Sequence, residues 1–356
     1  MNKALLLYAI GVGVLVPIFP FLSAFLQGLL IVVLLAAFWA TTWNLLGGLA
    51  GQVGFGHALF VGIGAYTSSV LYIQSQISPW LGMWLGAALS VIAAWFIGFL
   101  CFRYGLRDVF FSLVTLAFSI VAFVVVLNTD FAGPFRGSRG IAFPVEEADI
   151  LRFQFANRIG YFIVIALFLA AVLFITDWIR GSKPGRLLAA TREDELAAQA
   201  VGINTMQVKL IAFGLSAGLT ALGGTFYAQY YSFIDPTSVF GTNLSVQIIL
   251  PAIVGGMGTT YGPLLGSFVV IPLAEVARTL LGDTGNSGHQ IVYGLVMLLV
   301  VLYVPGGLTG LFGRLRTRLS RRIREGGREL AAGSPVRGAE ADSGGIRPKD
   351  PNVEVE

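Results

Sequence analysis

The run AFLQGLLIVVLLAAFWATTWNLL, residues 24–46, decides the fold class of this chain. It carries no charged residue, and a helix needs roughly 20 mainly apolar residues to cross the hydrocarbon core of a bilayer. Similar runs recur along most of the sequence. By the same rule we predict ten membrane-spanning helices, at residues 4–20, 24–46, 55–73, 81–102, 109–127, 160–178, 208–231, 244–258, 262–281 and 288–305. The eighth is short and interrupted by glycines, so we expect a broken or half-penetrating helix there.

The composition of the whole chain excludes a soluble globule. Of its 356 residues, 56% are hydrophobic and 12% are charged, and the mean hydropathy is +0.79. Soluble domains carry about a quarter charged residues, because water must face polar groups. We therefore predict an all-α, polytopic helical bundle in lipid. The 45 glycines mark places where two helix backbones are expected to pack closely.

Several function classes lack their sequence signals. The net charge of +4 comes from basic residues beside apolar runs rather than from a basic face for nucleic acid. A single cysteine, Cys101, leaves no internal disulfide and no cysteine-based metal motif. The histidines, His57 and His289, are far apart, and no G-x-x-x-x-G-K-[ST] loop is present. We expect a chain that is not an enzyme and holds no metal or cofactor of its own.

The distribution of Lys and Arg predicts the topology. When Lys3 is placed in the cytoplasm, an even number of predicted spans separates each basic segment from the next, as the positive-inside rule requires. The basic segments are 103–108, 180–209 and 314–328. The predicted outer links without Lys or Arg are 74–79, 232–243 and 282–287. Both termini are therefore predicted to be cytoplasmic, in a multi-pass protein of the inner or plasma membrane.

Three regions need a separate interpretation. Lys3 before an apolar run is typical of a signal peptide, but a second apolar run follows at once, so we expect an uncleaved span, with cleavage as the alternative. The loop 128–159 contains four arginines, yet its length weakens the charge rule and we place it outside. Residues 1–312 are predicted to form the membrane domain and 313–356 a cytoplasmic tail. The tail is basic at 314–328, against anionic lipid, and disordered from 331.

The most informative polar stretch is GRLLAATREDELAAQAVGIN, residues 185–204. Residues 186–200 have the pattern of an amphipathic helix, and Arg192, Glu193, Asp194 and Glu195 form a charged block within it. Gly202 is expected to break the helix, with a cap at Asn204 before the next span. A short charged helix between two spans is typical of a segment that a cytosolic partner binds. The alternative interpretation is a solvated charged loop.

This stretch, followed by KLIAFGLSAGLTALGG, resembles the coupling segment of the branched-chain amino acid ABC transporter permease family (LivM type). The general importer pattern is Glu-Ala-Ala, three variable residues and Gly. Here Glu195 stands one position early and Leu196 takes its place. The resemblance implies a coupling segment at residues 180–207. Its implied ATPase-coupling residues are Arg192, Glu193, Asp194, Glu195, Ala198 and Gly202.

Two further stretches resemble the same family, in matching order and spacing. They are WNLLGGLAGQVGFGHALFVGIGAY at residues 43–66 and LPAIVGGMGTTYGPLLGSFVVIPLAE at residues 250–275. The glycines expected to shape their turns are Gly51, Gly56, Gly255, Gly256, Gly258 and Gly262. The candidate substrate-path residues are Asn44, Gln52, His57, Tyr66 and Glu275. The buried polar side chains bond either the chain's own groups or the substrate, and Glu275 either pairs with Arg278 at i+3 or contacts substrate.

The resemblance implies a permease subunit of an ABC importer. It would work with a related second permease, two cytosolic ATPase subunits that hold ATP and Mg²⁺, and an extracytoplasmic solute-binding protein. The implied substrates are branched-chain or related apolar amino acids, with urea or short amides as the alternative. A less favoured hypothesis is an ion-coupled secondary transporter, which needs intramembrane carboxylates at a repeat interface. Only Glu275 meets that requirement.

Overall fold

The computed structural model describes residues 3–128, 130–131, 135–136, 140–143, 149–281, 294 and 307–310, and Met1–Leu311 form one compact unit. The predicted tail therefore lies outside the described residues. The helices are α1 Lys3–Ile18, α2 Ala24–Asn44, α3 His57–Ser75, α4 Pro79–Arg103, α5 Asp108–Asn128, α6 Arg158–Gly181, α7 Lys183–Glu193, α8 Glu195–Ala200, α9 Thr205–Tyr231, α10 Pro236–Phe240, α11 Thr242–Gly255 and α12 Gly262–Leu281. The short strands are β1 Asp130–Phe131, β2 Phe135–Arg136, β3 Ile141–Ala142 and β4 Phe233–Ile234.

Within the described residues, six helical segments are long and apolar enough to cross a membrane, so the predicted count of about ten spans is not confirmed. They are Ala24–Leu49, Pro79–Arg103, Val109–Asn128, Arg158–Gly181, Thr205–Tyr231 and Pro236–Gly255. Helices α3 and α12 lie at two other predicted spans but are not among these six segments. The predicted first span matches the 16-residue helix α1. The predicted tenth span, 288–305, lies outside the described residues except for residue 294.

The predicted eighth span is shifted from its expected position. It was expected at 244–258, but α10 and α11 together occupy Pro236–Gly255 and meet at Gly241, whose backbone is extended. Asp235 starts this segment by accepting a hydrogen bond from the backbone N–H of Ser238 at 3.2 Å. Gly256 ends it with a φ of 118°, a conformation that favours glycine.

Helix α9 forms the centre of the bundle and packs against α2, α3 and α4, while α2 also packs against α6, α11 and α12. The α3–α9 contact depends on two glycines. A β-carbon at Gly64 would meet the Ala221 carbonyl oxygen, and one at Gly224 would meet the Val61 carbonyl oxygen. The prediction that glycine allows close backbone packing is therefore confirmed between these two helices.

The loop between α5 and α6 is attached to the bundle by backbone pairing and side-chain contacts. Its strand β3 pairs with β4, antiparallel, with Ile141 opposite Ile234. The indole N–H of Trp80, at the start of α4, donates to the Ile150 carbonyl oxygen at 2.8 Å. The described parts of this loop thus lie at the end of the bundle where α4 and α6 begin and α9 ends.

Candidate functional site

The predicted coupling segment is helical, but it is not the single helix expected at residues 186–200. It divides into α7 and α8 at Asp194, whose backbone is extended, with φ −152° and ψ 111°. The Asp194 carboxylate accepts hydrogen bonds from the backbone N–H groups of Leu196 at 2.9 Å and Ala197 at 3.0 Å. Asp194 therefore caps a new helix, and this capping is the physical reason for the break.

The turn that follows α8 agrees with the sequence prediction. Gly202 has a φ of +85°, in the left-handed region that glycine adopts without strain. The Asn204 side chain then caps α9 by accepting from the backbone N–H of Gln207 at 3.1 Å. The chain thus turns from the coupling segment directly into the central helix of the bundle.

Glu195 is largely buried, so it does not fit the alternative interpretation of this segment as a solvated charged loop. Its carboxylate oxygen Oε2 lies 3.0 Å from Nε of Arg107 and 2.8 Å from Nζ of Lys209, and its side chain is 16% exposed. Lys209 is 2% exposed and lies over the ring of Phe102. A buried ammonium is costly without a partner, so Glu195 fixes α8 to α9 and to the link before α5.

The other residues of α8, together with Val201 directly after it, divide into a buried side and an exposed side. Ala198 is buried at 4% exposure, against the bundle. Leu196 and Val201 are 65% and 77% exposed, although both are apolar. Glu193, at the end of α7, is also exposed. The coupling segment thus presents an apolar surface with a neighbouring carboxylate.

Arg192 brings the three sequence motifs together. Its Nη1 donates a hydrogen bond to the Gly48 carbonyl oxygen at 2.5 Å. A β-carbon on Gly51 would lie 2.8 Å from Arg192 Cγ, and one on Gly258 would lie 2.6 Å from its Nη1. The Arg192 side chain therefore lies between the turn after α2 and the turn before α12, and both turns leave room for it only because they carry glycine.

Asn44 joins the same two turns directly. Its Nδ2 donates to the Thr259 carbonyl oxygen at 2.8 Å, and its Oδ1 accepts from the Gly258 backbone N–H at 2.8 Å. The side chain is fully buried and its amide is occupied by the chain's own backbone. Of the two interpretations of Asn44, the structural one fits this geometry.

The other predicted path residues in the first motif are buried but differ in bonding. His57 Nε2 lies 2.9 Å from Ser216 Oγ, whose hydroxyl donates to the Thr42 carbonyl oxygen at 2.7 Å. Gln52 Oε1 and the Tyr66 hydroxyl are buried and lack a hydrogen-bond partner within the described part of the chain. His57 thus connects α3 to α9 and α2, whereas Gln52 and Tyr66 retain unused polar atoms.

The predicted structural glycines fall into two groups. Gly51, Gly256 and Gly258 have positive φ angles, which other residues adopt only with strain. At Gly56, Gly255 and Gly262, a β-carbon would overlap a backbone carbonyl oxygen of a neighbouring segment. Both groups belong to the turns at the end of the bundle that holds the coupling segment, or to the helix ends beside them.

Glu275 lies at the opposite end of the bundle and lines a cavity of about 790 Å³. The cavity is also lined by Arg158, Arg278, Gln247, Tyr230 and Tyr231. Glu275 and Arg278, both described, do not come within ion-pair distance of each other, so the expected i+3 pairing is wrong. Sequence reasoning counted Arg158 only among the four arginines of the loop 128–159. Its position just before the predicted span 160–178 was the signal that it lies at the start of a membrane helix, and α6 does begin at Arg158.

The fold and these contacts define a multi-pass helical membrane protein. Its short helices α7 and α8 lie between two spans and contact the turns next to other membrane helices. Residues 25–301 match the protein family described as branched-chain amino acid transport system, permease component. Because this match covers most of the chain, the protein belongs to that family.

Individual relatives agree with the family match. The chain is 27% identical to the high-affinity branched-chain amino acid transport system permease protein LivM of Escherichia coli (strain K12), over 74% of this chain and 65% of the relative. It is 25% identical to LivH of the same organism, over 76% of this chain and 90% of the relative. It is 30% identical to the autoinducer 2 import system permease protein LsrC of Salmonella paratyphi B, over 47% and 45%. The chain thus spans less than two thirds of the length of LivM, and no solved structure matches.

Proposed function

We propose that this chain is a permease subunit of an ABC importer that carries branched-chain or related apolar amino acids across the inner membrane. In this proposal a related second permease completes the translocation path, two cytosolic ATPase subunits supply the energy from ATP and Mg²⁺, and an extracytoplasmic binding protein delivers the substrate. Membership of the permease family and the similarity to LivM and LivH support it.

The observation that carries the proposal is the position of Arg192. Its guanidinium contacts the turn after α2 and the turn before α12, while the Glu195 carboxylate joins α8 to α9. A displacement of the coupling segment therefore cannot leave these helices unmoved, because close-packed interiors do not deform freely. This arrangement suits a permease that converts movement at a cytosolic subunit into a change of its membrane helices.

The exposed side of α8 suits a protein partner. Leu196 and Val201 are apolar and largely exposed on a segment predicted to lie in the cytosol. Apolar side chains with a carboxylate at the rim are typical of a surface that another subunit covers. The proposed occupant is the ATPase, with Glu193 offering an acceptor to its basic groups. Asp194 and Glu195 are engaged inside the chain, so they act by shaping the segment.

Replacement of Leu196 with Glu tests the coupling role, because it places a charge in the proposed apolar contact without touching a bond inside the chain. We expect the permease to insert normally but to retain at least tenfold less ATPase on co-purification, with uptake reduced in parallel. The matched control is Ile150→Glu, since Ile150 is 70% exposed and lies at the opposite end of the bundle. Normal ATPase binding and uptake in the Leu196→Glu importer would contradict the assignment.

The substrate and energy source are tested with the assembled importer in proteoliposomes. We expect uptake of radiolabelled leucine that requires ATP, and no comparable uptake of urea. ATP-dependent uptake of urea without leucine would favour the short-amide alternative. Leucine uptake driven by an ion gradient without ATP would favour the secondary transporter.

A further inference from the structure

The cavity around Glu275 is built from five helices at one end of the bundle. Its lining comes from the first half of α2, the first residue of α6, the last two residues of α9, residues 271–278 of α12, and Gln247 of α11. The coupling segment lies at the other end, where α2 and α6 finish and α9 and α12 begin. The predicted topology therefore places the cavity at the extracytoplasmic side, where a substrate arrives.

Within the described part of the chain, the charged groups of this cavity make few contacts with other residues. Arg158 Nη1 donates to the Ala24 carbonyl oxygen at 2.5 Å, which holds the guanidinium at the cavity wall beside Gly28. Glu275 and Arg278 form no hydrogen bond or ion pair with any described residue. Charged side chains in membrane helices are rare and costly, and they typically line a substrate or ion pathway.

The apolar part of the cavity lies beside these charges. Ile271, Glu275 and Arg278 share one face of α12 because their spacing follows the helical repeat. Leu29 and Val32 of α2 add branched apolar side chains to the lining. A volume of about 790 Å³ falls within the usual range for small-molecule sites.

We propose that this cavity binds the zwitterionic head group of an apolar amino acid. The guanidinium groups of Arg158 and Arg278 take the carboxylate, since planar guanidinium matches carboxylate geometry. The Glu275 carboxylate takes the ammonium group. The side chain of the amino acid lies against Leu29, Val32 and Ile271. This inference rests on the proposed function and assigns residues that recognise its substrate class; a neutral amide would leave all three charges unmatched.

Cysteine protection tests the site in the assembled importer. Ile271 is replaced with Cys in a Cys101→Ser background, because Cys101 is the chain's single native thiol. We expect L-leucine to slow labelling of the new thiol by a membrane-impermeant maleimide. The matched control is Leu273→Cys, which lies on the same helix but outside the cavity lining, and leucine should not slow its labelling.

Two leucine analogues separate the two charges: 4-methylpentanoate lacks the ammonium group and 3-methylbutylamine lacks the carboxylate. Glu275→Gln should raise the half-protecting concentration of leucine about tenfold or more, while that of 4-methylpentanoate does not rise. Arg278→Gln should also raise the half-protecting concentration of leucine, while that of 3-methylbutylamine does not rise. Glu275→Asp keeps the charge and should retain most of the protection. Co-purification of the ATPase shows that each variant remains assembled.

The readouts separate this inference from the function on which it rests. In one outcome, the Ile271→Cys importer takes up leucine with ATP while leucine gives its thiol no protection. That result would overturn the site and leave the proposed function standing. Equal loss of protection by leucine and both analogues in Glu275→Gln would also overturn the charge assignment. Charge-dependent protection without ATP-driven uptake would uphold the site and overturn the importer.

Discussion

Glu195 shows at the residue scale how a charge that looks solvated in sequence can hold two segments together. Its carboxylate is shared by Arg107 and the buried Lys209, which come from different parts of the chain. The sequence block Arg192–Glu195 suggested four similar surface charges. In the structure, Arg192 binds a carbonyl oxygen, Asp194 caps a helix and Glu195 neutralises a buried cation. Arg192, Glu193 and Asp194 all remain exposed, but of these three the Glu193 side chain alone forms no hydrogen bond or ion pair within the described residues.

Replacing Glu195 with Gln should therefore destabilise the protein, because it leaves the Lys209 ammonium buried without its counter-charge. Removal of one partner of a buried ion pair costs about 3 kcal/mol. We expect a lower Tm for the detergent-solubilised permease, measured by thermal unfolding. The double variant Glu195→Gln/Lys209→Met is the matched control, since it removes both charges and should recover most of the lost stability. A single variant with unchanged Tm would contradict the buried pairing.

At the element scale, the division between α7 and α8 depends on one side chain. Helix α8 has six residues, too few to be stable by itself. Its first turn is held by the Asp194 carboxylate and its end by the turn at Gly202. The orientation of the exposed apolar surface, including Leu196, therefore depends on a cap rather than on helix propensity.

Replacing Asp194 with Ala should loosen α8 by about 1 kcal/mol, because two backbone N–H groups lose their acceptor. We expect faster hydrogen exchange at the amides of Leu196 and Ala197, with the rest of the bundle unchanged. Asp194→Asn keeps an oxygen at the same position and serves as the control, since Asn caps nearly as well as Asp. Equal exchange in the Ala and Asn variants would show that the cap does not hold this helix.

At the scale of the whole molecule, the two proposed functional sites lie at opposite ends of the bundle. The coupling segment, Arg192 and the glycine turns occupy one end, and the charged cavity around Glu275 occupies the other. Helices α2, α6, α9 and α12 each run between the two ends. A movement that begins at the coupling segment thus has a direct structural route to the cavity, through helices that contact both.

The charge pattern predicts that both chain ends and the coupling segment lie in the cytoplasm. A reporter that is active only in the cytosol, fused after residue 312, should therefore be active, and one inserted after residue 76 should be inactive. Activity and expression of each fusion are measured in the same cells. A stably expressed but inactive fusion after residue 312 would contradict the even number of spans.

The sequence by itself determined the membrane fold class, the family and several local features. Runs such as residues 24–46 predict helices that span the bilayer, because so long an apolar segment is unfavourable in water. Gly202 and Asn204 marked a turn and a cap correctly because both depend on neighbouring residues only. Much of the membrane architecture could therefore be predicted, although the full number of spans is not confirmed.

The tertiary structure decided which of the marked residues meet. Arg192 contacts Gly48 and Gly258, and Asn44 contacts Thr259, across sequence separations that no local pattern encodes. The cavity likewise joins Arg158 with Glu275, and it leaves Glu275 apart from Arg278 although the two are three positions apart on one helix. Side-chain direction and the packing of neighbouring helices set these contacts, and both depend on the whole folded chain.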